Sequence, residues 1–139
     1  MKNNFLLITG GTGGHVIPAQ NLGNYILKRN NNCTLLLDKR GEQYLENFEG
    51  KINIINSSNM SGNIFKKILG LLNHLIGFIQ SFFIILTLKP KIVISFGSYA
   101  SFFPMMCCIL LKPFYKNKIF IHEQNSVLGR TNRFYLNHI

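Results

Sequence analysis

The residues with the most chemical capacity lie in three short runs. The first is Thr9-Gly10-Gly11-Thr12-Gly13-Gly14-His15. Glycines adopt positive φ and let a backbone approach a ligand closely. The N–H groups that open a following helix attract an anion, so this run suits a phosphate or diphosphate. His15 adds an imidazole, which titrates near neutral pH and can move a proton. The second run, Ser95-Phe96-Gly97-Ser98-Tyr99-Ala100-Ser101, is another turn of small residues. The third, Ile119-Phe120-Ile121-His122-Glu123-Gln124-Asn125, sets polar side chains directly after an apolar stretch. Cys33, Cys107 and Cys108 form no C-x-x-C pair. That pattern argues against a zinc site or redox pair and for a reduced, cytoplasmic chain. No metal and no cofactor is expected.

The glycine run narrows the choice of phosphate ligand. A Walker loop ends in Gly-Lys-Ser/Thr, and no lysine stands here. A dinucleotide fingerprint starting at Gly11 finds Gly13 but then Val16 where the last glycine belongs. Asp38, at the end of an apolar run, is placed where dinucleotide enzymes hold a ribose. It is equally placed as a plain strand-end residue.

The elements around these runs follow from apolar patterning. Strands are predicted at residues 5–9, 33–37, 52–55, 92–96 and 118–122. Helices are predicted at 18–29, 42–48, 64–88, 103–112 and 131–138, with a polar loop at 57–62. Short continuous apolar strands alternating with helices predict an α/β fold, a Rossmann-like parallel sheet with helices on both faces. In such a sheet ligands bind beyond the carboxyl ends of the strands, and all three runs sit there.

Lys and Arg number 15 against 5 Asp and Glu, a net charge of +10, while 47% of residues are hydrophobic and only 14% charged. That is too apolar for a disordered basic tail and too sparsely charged for a nucleic-acid binder. It suits contact with an anionic membrane surface. The segment Ile64–Leu88 is near the length of a membrane span. Lys66, Gly70, Asn73, Gly77, Gln80 and Thr87 nevertheless recur at roughly helical spacing and make a thin polar stripe. A helix packed on the sheet with its outer face dipping into lipid is expected, with Lys66, Lys67 and Lys89 able to meet lipid phosphates. The apolar residues 5–8 are too few for a signal peptide.

Gly10 to Ala19 together with His122-Glu123-Gln124-Asn125 resemble the MurG family. Its members add N-acetylglucosamine (GlcNAc) from UDP-GlcNAc to undecaprenyl-diphosphate-MurNAc-pentapeptide (lipid I), giving lipid II for peptidoglycan. The resemblance runs from Phe5 through Thr131-Asn132. It implies the N-terminal, acceptor-binding half of a GT-B glycosyltransferase over residues 1–139. The remaining strands of that half and the donor-binding C-terminal domain are expected elsewhere, with a separate chain as one source. It implies inversion without a covalent intermediate, at the cytoplasmic face of the bacterial inner membrane. By the same resemblance His15 is the general-base candidate and Glu123 a weaker acid/base candidate. Thr12, Gly13, Gly14 and Asn125 match positions on the donor and diphosphate side. Gly10, Gly11, Gly97, Ser98, Tyr99, Ser101, His122 and Gln124 fall on the acceptor side. Two positions depart from the family's second loop. Ser98 replaces its second glycine, and Phe103 stands where a proline is usual, with Pro104 one later. The competing readings are a non-catalytic diphosphate-binding remnant, and an NAD(P)-binding domain using the first loop and Asp38.

Overall fold

The structure is a computed structural model and describes residues 2–58, 63–136 and 138–139. Strands β1 (Asn4–Ile8), β2 (Asn32–Asp38), β3 (Lys51–Ile55), β4 (Ile92–Ser95) and β5 (Lys118–Ile121) form one sheet in the order β3-β2-β1-β4-β5. Every pairing is parallel. The helices are α1 (Gly13–Lys28), α2 (Lys39–Glu42), α3 (Ile64–Leu88), α4 (Phe102–Leu111) and α5 (Arg130–Tyr135). A single 3-10 turn, Tyr99–Ser101, precedes α4.

Strand side chains alternate between the two faces of the sheet, and both faces are covered. Leu6, Ile8, Leu36 and Val93 pack with Ile85 of α3, Met105 and Cys108 of α4, and Tyr135 of α5. Leu7, Leu35 and Leu37 pack with Val16, Ala19 and Ile26 of α1. Each such aliphatic side chain contributes roughly 1.5–3 kcal/mol on burial. Double coverage is why the strands read as unbroken apolar runs. Burial pushes the Cys33 and Cys107 thiols up to about 12 and Cys108 higher still, so these thiols are packing groups.

Several boundaries differ from the sequence expectation, for local reasons. Helix α1 begins at Gly13, not at 18, so the end of the glycine run forms its first turn. Pro18 lies inside the helix, where its missing N–H leaves only the Gly14 carbonyl without its helical donor. The helix expected at 42–48 lies instead at Lys39–Glu42, where the Asp38 carboxylate caps it by accepting from Gly41 N. Beyond it, α1 takes over the backbone. Gln20 Oε1 accepts from Glu46 N, Asn24 Oδ1 accepts from Glu49 N, and Asn24 Nδ2 donates to the Asn47 carbonyl. Helix α5 ends at Tyr135. Residues 59–62 of the polar loop expected at 57–62, and Asn137 of the last predicted helix, lie outside the described residues.

Helix α3 matches its predicted span, and its small and polar residues face inward. Gly70, His74, Gly77, Ser81 and Ile85 are buried at helical spacing. A side chain at Gly77 would put its Cβ 2.0 Å from the Asn56 carbonyl oxygen, so only glycine lets the helix approach there. Gln80 Oε1 accepts from Asn56 N. The large apolar side chains Ile68, Leu72, Ile76, Ile79 and Phe83 are exposed. The helix is long and apolar enough to cross a membrane by length and composition. Of the expected polar stripe, Gly70 and Gly77 are buried against the protein, while Lys66 and Thr87 are exposed.

Candidate functional site

Crossing from β3 over β2 and β1 to β4 reverses the strand order, so β1 and β4 flank the switch point where such sheets open a crevice. The glycine turn follows β1 and the Gly97–Ser98 turn follows β4, side by side. A Cβ placed on Gly11 would lie 3.6 Å from Ser98 Oγ. The third run follows β5, the neighbour of β4.

A cavity of about 180 Å³ opens between these turns, lined by His15, Gly97, Ser98, Tyr99, Glu123 and Asn125, and by Gly129, Arg130, Thr131 and Asn132. The first six were expected from sequence. A larger cavity, about 650 Å³, lies at the opposite, amino ends of the strands beside Asn4, Thr34, Lys51 and Pro90. None of the three polar runs reaches it. Chemistry therefore assigns the site to the smaller one.

The imidazole of His15 sits in the first turn of α1 with Nδ1 3.0 Å from Thr12 Oγ1. Burial lowers its proton affinity, partly offset by the negative charge of Glu123, so it is neutral at physiological pH. The Thr12 carbonyl accepts from His15 N and Val16 N, while among the described residues Gly13 N and Gly14 N have no partner. Those two N–H groups, with the helix dipole behind them, are suited to receive an anion, but neither glycine is among the residues that line the cavity.

Asp38 holds this turn from behind. Its fully buried carboxylate accepts from Gly11 N at 2.8 Å and Gly41 N at 3.1 Å through Oδ1, and from Arg40 Nε at 2.7 Å through Oδ2. That removes it from the ribose-binding role of the dinucleotide reading, because the carboxylate is spent inside the protein.

Glu123 is similarly committed. Its oxygens accept from Asn125 N, Asn125 Nδ2, Gly129 N and Asn132 Nδ2. These donors, Gly129 N foremost, hold its carboxyl down at about 2 against an ordinary 4.5. A carboxylate so held is a weak proton acceptor. The acid/base expectation for Glu123 gives way to a clamp that shapes the turn after β5.

Other expected residues lie apart from the cavity. Ser101 is buried, and its hydroxyl donates to the Ser98 carbonyl, which makes it part of the turn's frame. The His122 ring packs on Phe96 with centroids 4.8 Å apart, and its Nδ1 lies 3.4 Å from Gln124 Oε1. Gly10 sits beneath the turn against Asp38 and Ala100, and Gly13 faces Tyr44. Sequence reasoning missed Arg130 and Asn132. Asn132 is almost fully buried, donates to Glu123 and to the His122 carbonyl, and leaves Oδ1 buried without a partner. Asn132 stands between Thr131 and Arg133 in a largely polar helix, so nothing in the local sequence marked it out. Among the described residues no group of three or more His, Cys, Asp or Glu is placed to hold a metal ion.

Fold and site together define a class, the doubly wound α/β domains whose ligands bind at the switch point. The particular family follows from comparison. The chain matches the Glycosyltransferase family 28 N-terminal domain over residues 5–137 and belongs to that family. It is similar to the UDP-N-acetylglucosamine–N-acetylmuramyl-(pentapeptide) pyrophosphoryl-undecaprenol N-acetylglucosamine transferase of Rhodospirillum rubrum, 33% identical over 133 residues, covering 91% of this chain and 32% of the relative. It is 36% identical over 130 residues to the protein of that name from Rickettsia rickettsii, covering 94% of this chain and 33% of the relative. The chain thus spans about a third of the length of these relatives. Among solved structures it superposes on Acinetobacter baumannii MurG with a TM-score of 0.81 at 24% identity, covering 98% of this chain and 39% of that one. The glycosyltransferase of kitacinnamycin gives 0.66 at 12% identity, covering 98% and 34%. The Rossmann-like, GT-B N-terminal fold and the resemblance read from the motifs are both borne out.

Proposed function

We propose that this chain is the acceptor side of an inverting transferase that moves GlcNAc from UDP-GlcNAc to undecaprenyl-diphosphate-MurNAc-pentapeptide. The observation that carries the reading is His15. It is a neutral imidazole in the first turn of α1, in a cavity shared by the turns after β4 and β5. In the tautomer this role needs, Nδ1–H donates to Thr12 Oγ1 and the free Nε2 lone pair meets the acceptor. As the acceptor hydroxyl attacks the anomeric carbon, His15 takes its proton and UDP leaves with the bonding pair. Gly13 N and Gly14 N face a diphosphate, and Glu123 holds Asn125 in place. The donor half comes from the part of the relatives' length this chain does not span, in the same polypeptide or a second one.

The exposed apolar face of α3, with Lys66, Lys67 and Lys89 at its ends, docks on the anionic cytoplasmic face of the inner membrane. Such docking predicts cosedimentation with anionic vesicles that weakens as salt rises.

The test joins this chain to the C-terminal two-thirds of the Rickettsia rickettsii relative and assays GlcNAc transfer to a lipid I analogue. His15→Ala should lower the rate by roughly two orders of magnitude. Because the folded imidazole titrates below 6.5, the rate should stay level through neutral pH and fall only as pH drops through that lowered value. No transfer from a folded fusion, or a His15→Ala rate equal to wild type, would overturn the assignment.

A further inference from the structure

The cavity beside His15 carries its charge unevenly. His15 itself is neutral at physiological pH. Glu123 is ionised there, and its oxygens already accept from Asn125 N, Asn125 Nδ2, Gly129 N and Asn132 Nδ2. It adds a negative charge to the wall without a free claim on any cation. Arg130 is the one lining residue that brings a positive charge. Its guanidinium has no carboxylate partner, since among the described residues the one ion pair joins Arg40 to Asp38. Gly13 N and Gly14 N, the other groups suited to an anion, lie outside the lining.

The acceptor sugar lies in this cavity when His15 takes the proton of its hydroxyl. The acceptor's diphosphate is bonded to that same sugar, so it sits in the cavity or at its mouth. Without Arg130 it would meet the Glu123 carboxylate alone, and like charges at short range repel. With Arg130 the two fixed charges of the wall cancel. A guanidinium also offers paired N–H groups in a flat fork that phosphate oxygens accept two at a time. Arg130 is exposed, so its side chain has room to turn toward the mouth. The glycine N–H groups outside the cavity are then left for a different anion.

We infer that Arg130 binds the diphosphate of the acceptor at the mouth of the His15 cavity. This rests on the acceptor reading above and deepens it, by naming the side chain that receives the acceptor's charge.

The test compares two soluble ligands on this chain by calorimetry. One is MurNAc-pentapeptide carrying a methyl diphosphate at its anomeric carbon. The other is the methyl glycoside of MurNAc-pentapeptide, which keeps the sugar and every peptide carboxylate but has no diphosphate. The wild-type chain should bind the diphosphate at least about tenfold more tightly, the size of a charge-assisted contact. Arg130→Leu should bring the two ligands within about twofold of each other by weakening the diphosphate alone. Arg130→Lys keeps the charge but not the fork, and should fall between. Arg133→Leu removes an equal charge from an exposed position outside the lining, and should leave the preference intact. Rising salt should shrink the wild-type preference. Circular dichroism confirms that the variants are folded. In the fusion described above, Arg130→Leu should raise KM for the lipid I analogue about tenfold and leave KM for UDP-GlcNAc unchanged.

Equal wild-type affinity for the two ligands overturns the inference and spares the acceptor reading. Binding of neither ligand overturns the acceptor reading itself. A preference that survives Arg130→Leu refutes the inference and moves the diphosphate to the Gly13 and Gly14 N–H groups. Equal weakening of both ligands in Arg130→Leu refutes it too, and makes Arg130 a partner of a peptide carboxylate or part of the frame. A rise in KM for UDP-GlcNAc in place of lipid I assigns Arg130 to the donor. An equal loss of preference in Arg133→Leu reduces the effect to the general charge of the chain. Either of these last two results also refutes the inference.

Discussion

The turns after β1 and β4 stand side by side at the switch point, yet they are held in different ways. The first has glycine at both left-handed positions, Gly10 at φ 150° and Gly11 at φ 78°. It is fixed from behind by a buried carboxylate with three donors. The second has Gly97 at φ 83° but Ser98 at φ 79°, and is fixed by hydroxyls. Gly97 N donates to Ser95 Oγ, Ala100 N to Ser98 Oγ, and Ser101 Oγ to the Ser98 carbonyl. The first turn is unstrained and charge-pinned, as suits a surface that must present N–H groups to an anion. The second carries a side chain in a conformation that costs energy, and a neutral network holds it there.

Removing the pin of the first turn should have the largest effect. Asp38→Ala leaves Gly11 N, Gly41 N and Arg40 Nε without their acceptor, and should cost about 3–5 kcal/mol by urea unfolding. A loss below about 1 kcal/mol would show that the turn holds itself. Gly10→Ala is the next test. Its Cβ would meet Asp38 Oδ1 at 2.6 Å and Ala100 Cβ at 2.7 Å, so the substitution forces the two turns apart. About 3 kcal/mol of destabilisation is expected, from overpacking and the strained φ together.

These effects mark how far the sequence was legible. The strands could be read because burial on both faces leaves only apolar residues in them. The glycine turns could be read because few residue types permit positive φ. The three polar runs could be brought together by topology alone. Position α2 could not, since Gln20 and Asn24, far back in the chain, take the backbone donors that a helix at 42–48 would use. The inward face of α3 could not, since burial of Gly77 depends on the Asn56 carbonyl lying across it. Nor could the roles of Asp38, Glu123 and Asn132, because a carboxylate's task depends on how many donors surround it, and those donors come from other segments.

The turn after β5 adds an intermediate, pH-dependent case, because its clamp is a carboxylate nearer the surface than Asp38. The Glu123 carboxyl sits at about 2 in the folded chain against an ordinary 4.5. Its contribution is therefore fully present above about 4.5 and is lost as pH falls toward 2. Hydrogen exchange at Asn125 and Gly129 should rise between pH 5 and pH 3 relative to exchange in β1, after correction for intrinsic rates. Glu123→Gln should show fast exchange at both pH values. Equal protection at pH 5 and pH 3 in the wild-type chain would detach the clamp from its charge.

The smallest effect sharpens the contrast most directly, since it gives the second turn the glycine pair of the first. Ser98 occupies φ 79°, ψ 160°, a region natural to glycine alone, at a cost of roughly 1–3 kcal/mol for a residue with a side chain. Its hydroxyl recovers part of that by accepting from Ala100 N, worth about 0.5–1 kcal/mol. Strain exceeds the cap, so Ser98→Gly should stabilise the chain by about 1 kcal/mol in urea unfolding. Ser98→Ala keeps the strain and loses the cap, and should destabilise it by a similar amount. If both variants lose stability equally, the hydroxyl outweighs the strain and the second turn is held by its network alone. If glycine gains and alanine loses, this chain carries a strained residue beside the candidate site that its neighbouring turn does without.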